Sequence, residues 1–81
     1  MINLAIFASG NGTNAENIIH HFETISDINV KVVVSNRAKA YVLKRAERFE
    51  VEAVYLSSEF LNSPDRLLPF LSERAIDYII L

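Results

Sequence analysis

Ile2-Asn3-Leu4-Ala5-Ile6-Phe7-Ala8 runs directly into Ser9-Gly10-Asn11-Gly12-Thr13-Asn14, and this junction decides the fold. Its first half is close to continuously apolar, as in a parallel strand covered on both faces. Its second half contains both glycines of the chain. Beyond it, Ala15, Ile18, Ile19 and Phe22 recur at i, i+3, i+4 and i+7, while Glu16, Asn17, His20, His21 and Glu23 take the remaining positions. That is the period of an amphipathic helix. Thr13 followed by Glu16 reads as a capping box, which predicts a helix beginning directly after Thr13. Strand, glycine-bearing turn and helix form a first βα unit.

Three more strands follow from the same logic: Ile28–Ser35 (INVKVVVS), Val51–Leu56 (VEAVYL) and Asp77–Leu81 (DYIIL). Strand starts at 2, 28, 51 and 77 leave room for a helix in each interval, and parallel strands need crossovers of a dozen residues or more. A second helix is expected over about Ala40 to Phe49. It buries Val42, Leu43, Ala46 and Phe49 and turns Lys44, Arg45, Glu47 and Arg48 outward. Ser63-Pro64-Asp65 is a start signal for a third helix, since proline suits the first helical position. Pro69 then predicts either a kink or a later start, with Leu67, Leu68 and Leu71 as the apolar stripe. Right-handed crossovers assemble these pieces into an α/β, Rossmann-like open parallel sheet of order 3-2-1-4 with helices on both faces.

Composition narrows the class. Eighty-one residues suit one unit rather than two, and 51% apolar content excludes a disordered chain. The absence of cysteine excludes a disulfide scaffold and a thiolate metal centre. A net charge of −2 and a pI near 5.6 argue against a nucleic-acid partner. No apolar run reaches the roughly 18 residues of a membrane helix, so no membrane partner is expected. Met1-Ile2-Asn3-Leu4 lacks a basic leader, which makes a cytoplasmic location the default. The apolar ending Tyr78-Ile79-Ile80-Leu81 reads as a buried strand, and hence as the point where a larger domain is interrupted after its fourth strand.

The glycine segment is where chemistry is expected. It sits between the first strand and first helix, at the carboxyl end of the sheet, where ligands of open α/β sheets bind. The amides of Gly12, Thr13, Asn14 and Ala15 would lie unpaired at a helix amino terminus, a setting that favours an anion and most often phosphate. A tight turn alone needs one glycine, so two with flanking polar groups point to a ligand. Gly10-x-Gly12-x-x-Ala15 formally fits a dinucleotide fingerprint. The acidic residue that would hold an adenosine ribose is absent from Ser35-Asn36-Arg37-Ala38, which disfavours NAD. Arg37 could meet a 2′-phosphate, so an NADP-binding oxidoreductase fragment stays open beside a non-catalytic nucleotide-binding module.

Other polar residues carry blander readings. His20 and His21 belong to a solvated helix face without a partner set for metal or catalysis. Arg37 or Lys39 could add positive potential near the loop, while Lys44, Arg45 and Arg48 read as an outer helix face. Asp77 opens a strand at the end opposite the loop and reads as a turn or cap. Ser35 and Asn36 lie at the ligand end of the sheet, where they either touch a ligand or brace the loop.

Ser9-Gly10-Asn11-Gly12-Thr13-Asn14 resembles the opening of the folate-dependent phosphoribosylglycinamide formyltransferase family. Val34-Ser35-Asn36-Arg37-Ala38-Lys39-Ala40 and Ile76-Asp77-Tyr78-Ile79-Ile80-Leu81 are similar to two further segments of that family. The resemblance implies that residues 1–81 are the amino-terminal, phosphate-binding half of a formyltransferase domain. It implies that Gly12, Thr13 and Asn14 bind the phosphate of glycinamide ribonucleotide, supported by Ser9, Gly10 and Asn11. It implies 10-formyltetrahydrofolate as co-substrate, formyl transfer to the glycinamide amine in purine biosynthesis, and no metal. The family's catalytic Asn, His and Asp lie further along the chain and have no counterpart here, so this segment alone is expected to be inactive. The family's folate-side arginine aligns with Pro64, two residues before Arg66, which is the remaining candidate.

Overall fold

The computed structural model describes all 81 residues. Four parallel strands form one sheet: β1 (Ile2–Phe7), β2 (Ile28–Ser35), β3 (Glu52–Tyr55) and β4 (Tyr78–Ile80), in the order β3-β2-β1-β4. Four helices connect them: α1 (Thr13–Phe22), α2 (Tyr41–Arg48), α3 (Ser58–Leu61) and α4 (Pro64–Glu73). The expected α/β architecture and strand order are those observed.

The strand β2 explains the layering. Val32, Val33 and Val34 are 0%, 0% and 1% exposed, and their alternation sends them into two separate cores. Val33 joins Ile6, Ala15, Ile19, Val42 and Ala46 under α1 and α2. Val32 and Val34 join Ala5 and Leu56, with Phe60, Phe70 and Leu71 of α3 and α4 packed against them. Each buried Val, Ile or Leu among them contributes roughly 1.5–3 kcal/mol. The register between β1 and β2 slips once, between Leu4↔Val30 and Ala5↔Val32, which leaves Lys31 unpaired and exposed. The bulge expels the one charge of a strand otherwise packed on both sides.

Several local expectations need correction. The capping box does not form: Thr13 is the first residue of α1, Gly12 is its N-cap in the left-handed region (φ 89°), and no side chain caps it. Asn11 displaces the box, because its side-chain carbonyl accepts from both the Thr13 amide at 3.0 Å and the Thr13 hydroxyl at 2.9 Å. The third crossover holds two helices rather than one. Ser57 starts the short α3 by accepting from the Phe60 amide at 3.1 Å, and α4 then begins at Pro64 and runs on through Pro69. Pro69 cannot donate to the carbonyl of Asp65, but both residues are exposed, so water can take that acceptor. Leu68 faces solvent at 63% exposure, and Phe70 replaces it in the buried stripe.

β4 is an edge, paired only with β1, with Tyr78 64% and Ile79 40% exposed. Asp77 anchors it at the end opposite the glycine loop: its carboxylate accepts from the Asn3 amide at 2.8 Å, and its amide donates to the Asn3 carbonyl at 2.8 Å. No helix is long and apolar enough to cross a membrane.

Candidate functional site

Residues Ala8 to Gly12 connect β1 to α1 at the carboxyl end of the sheet. The two glycines there serve different purposes. Gly12 combines φ +89° with close packing: a Cβ at this position would lie 2.7 Å from Cα and Cγ2 of Val42 on α2. Only glycine fits both demands. A Cβ on Gly10 would meet nothing within 4 Å, so neither strain nor internal packing requires glycine there. The space in front of Gly10 is open.

The backbone donors of the loop divide in a similar way. The Thr13 amide is engaged by Asn11 Oδ1, so it is not among the free donors the sequence suggested. The amides of Gly12, Asn14 and Ala15 have no protein acceptor, and the first intrahelical bond is Glu16 N to Gly12 O at 2.8 Å. These three sit at the positive end of the α1 dipole, around a shallow hollow of about 430 Å³ lined by Ala8, Gly10 and Asn11 to Ala15. Such a concavity of unpaired N–H groups can accept an anion.

A neighbouring hollow of about 360 Å³ opens between the loop and the end of β2, lined by Ser9, Gly10, Asn11, Arg37, Lys39, Ala40 and Tyr41. Arg37 and Lys39 form no ion pair, so their charge is uncompensated beside the loop. Ser35 is buried and its hydroxyl accepts from the Arg37 amide at 3.1 Å, so it braces the β2 turn rather than the glycine loop. Asn36 is exposed and faces a third hollow, with Ser9 and Leu61. Arg66 stands exposed on the first turn of α4 and lines neither hollow beside the loop. His20 packs edge-on against Phe49 with ring centroids 4.8 Å apart, and no three acidic, His or Cys residues converge as a metal set would.

One residue of the site escapes the sequence pattern. Arg45 is not on a solvated outer face: its side chain is 24% exposed and lies across the loop. Its Nε donates to the Asn11 carbonyl at 2.7 Å and its Nη1 to Glu16 at 3.0 Å. Its guanidinium carbon stands 4.9 Å from the centre of the Tyr41 ring. The signal that could have found it is spacing, since Arg45 follows the loop-contacting Val42 by three positions and therefore flanks it on the helix surface.

Fold and loop together define a doubly wound α/β unit with a turn of unpaired backbone N–H groups after its first strand. No protein-family model matches the chain. In sequence it is 37% identical over 87 residues to the phosphoribosylglycinamide formyltransferase of Haemophilus influenzae, across all of this chain and 41% of that protein. It is 41% identical over 51 residues to the enzyme of the same name from Dictyostelium discoideum, across 62% of this chain and 25% of that one. In structure it superposes on glycinamide ribonucleotide transformylase 1 from Geobacillus kaustophilus with a TM-score of 0.84 and 34% identity, across 98% of this chain and 45% of the other. The chain thus resembles phosphoribosylglycinamide formyltransferases from end to end, and it spans less than half the length of these relatives.

Proposed function

We propose that the chain is the phosphate-binding part of a formyltransferase that modifies glycinamide ribonucleotide in purine biosynthesis. The observation that supports this most is the set of free amides at Gly12, Asn14 and Ala15, beside an open approach over Gly10. A phosphomonoester presents several anionic oxygens to such a cluster, and charge-assisted bonds to backbone N–H groups are among the stronger hydrogen bonds. Gly12 and Asn14 contact the phosphate through their free amides with that of Ala15 beside them, and Thr13, whose amide and hydroxyl both donate to Asn11, joins them by exchanging one of those bonds for a phosphate oxygen. Ser9, Gly10 and Asn11 shape the approach. The uncompensated charges of Arg37 and Lys39 strengthen the field that draws the anion in.

When bound, 10-formyltetrahydrofolate would supply the formyl carbon that the glycinamide amine attacks. Arg66, the one candidate toward it, lies away from the loop and lines neither hollow beside it. The residues present bind and orient the ribonucleotide, which is a proximity contribution rather than proton transfer. The small molecules named are the expected partners, and a compartment that supplies both, the cytoplasm, is the expected location.

Calorimetric titration tests the reading. Glycinamide ribonucleotide should bind saturably, and the same compound without its phosphate should not. Equal binding of the two, or binding of neither, would remove the phosphate from the account. The 81-residue chain should show no formyl transfer, and detected turnover would contradict the assignment of a purely binding role.

A further inference from the structure

We infer that Arg45 is a positioning residue that sets the affinity of the loop for an anionic head group by fixing one peptide plane. The inference deepens the phosphate reading above and rests on it. A trans peptide points its C=O and N–H in opposite directions. The Asn11 carbonyl and the Gly12 N–H belong to the same peptide unit, so the bond from Arg45 Nε to Asn11 O, at 2.7 Å, holds the carbonyl toward α2. The Gly12 N–H is thereby aimed away from α2. Arg45 supplies the protein donor on this carbonyl, and the adjoining φ belongs to a glycine with no Cβ to restrict it.

The guanidinium suits the task by shape rather than by charge. Nε meets the loop while Nη1 meets Glu16 of α1 at 3.0 Å, and the ring of Tyr41 supports the planar group from below. The Arg45 charge is paired with Glu16 at 3.0 Å, unlike those of Arg37 and Lys39. Two helices therefore hold the loop at one residue: Arg45 of α2 grips the main chain of Asn11, and Thr13 of α1 grips its side chain. A point-charge ammonium cannot make the same two-sided fork.

The test uses Arg45→Gln and Arg45→Lys in the full chain, with glycinamide ribonucleotide as probe. Amide relaxation of the free protein should show Gly10, Asn11 and Gly12 losing order in Arg45→Gln while α1 and α2 keep theirs, an effect that a general loss of packing does not produce. Affinity should fall about tenfold in Arg45→Gln, and Arg45→Lys should recover little of it despite the retained charge. An ordered loop with wild-type affinity in Arg45→Gln overturns the positioning role and leaves the phosphate reading standing. Full recovery by Arg45→Lys shows that charge rather than geometry acts, and overturns it too. A wild-type chain whose loop amides ignore the ligand overturns the phosphate reading and the role of Arg45 with it.

Discussion

At the scale of single residues, the two glycines make opposite predictions although they lie two positions apart. Gly12→Ala forces a Cβ into the backbone of Val42 and holds it at positive φ. The combined cost is about 2–4 kcal/mol, measurable as a lowered midpoint in urea unfolding. Gly10→Ala should unfold like the wild type, because its Cβ enters open space, yet it should weaken phosphate binding by narrowing the approach. A Gly10→Ala chain that binds normally would show that the space over Gly10 is unused. Glu50 and Ala75 carry the reverse defect, with φ of 59° and 53° at helix ends where glycine is the usual occupant. Glu50→Gly should raise stability by roughly 0.5–1 kcal/mol, the relief of left-handed strain less the added freedom of the unfolded chain.

At the scale of elements, the edge strand β3 is tied to the end of α4 by one bidentate pair. Arg74 donates from Nε and Nη2 to the two oxygens of Glu52, each at 2.8 Å, while its guanidinium lies 3.9 Å over the ring of Phe70. The Arg74 hydrogen bond holds the Glu52 carboxyl below its ordinary value against a smaller opposing effect of burial. A lowered folded pKa makes this contribution fully present above the unfolded value, about 4.3, and removes it as pH falls through the folded one. The Glu52 side chain is 45% exposed, so solvent screening limits the pair to about 0.2–1 kcal/mol. Glu52→Gln should therefore be less stable than wild type at pH 7 by that amount, and the gap should close by about pH 2. A gap that persists in acid would mean that packing, not the ion pair, carries the difference.

At the scale of the whole molecule, the sheet was legible because its signals are collective. The apolar runs Leu4-Ala5-Ile6 of β1 and Val32-Val33-Val34 of β2 recur at an interval that a crossover helix satisfies, and right-handed connections leave the order 3-2-1-4. What stayed hidden depends on one atom finding another. Asn11 outcompetes the Thr13–Glu16 capping box because its side-chain carbonyl is two residues from the amide it accepts, and Glu16 is drawn off to Arg45 instead. Pro69 continues a helix because the acceptor it abandons lies on an exposed turn. Leu68 is apolar yet exposed, since α4 covers the sheet with Phe70 and Leu71 instead. Of the site, the placement of Gly10 and Gly12 was legible from glycine scarcity, whereas the reach of Arg45 across the loop required the fold.

The most direct measurement is the amide spectrum of the isotope-labelled chain during titration with glycinamide ribonucleotide. Saturable shifts concentrated at Gly10, Gly12, Asn14 and Ala15, reproduced in weaker form by inorganic phosphate, are the predicted result. Shifts centred elsewhere in the sheet, or a spectrum that does not respond, would contradict a phosphate grip at the start of α1.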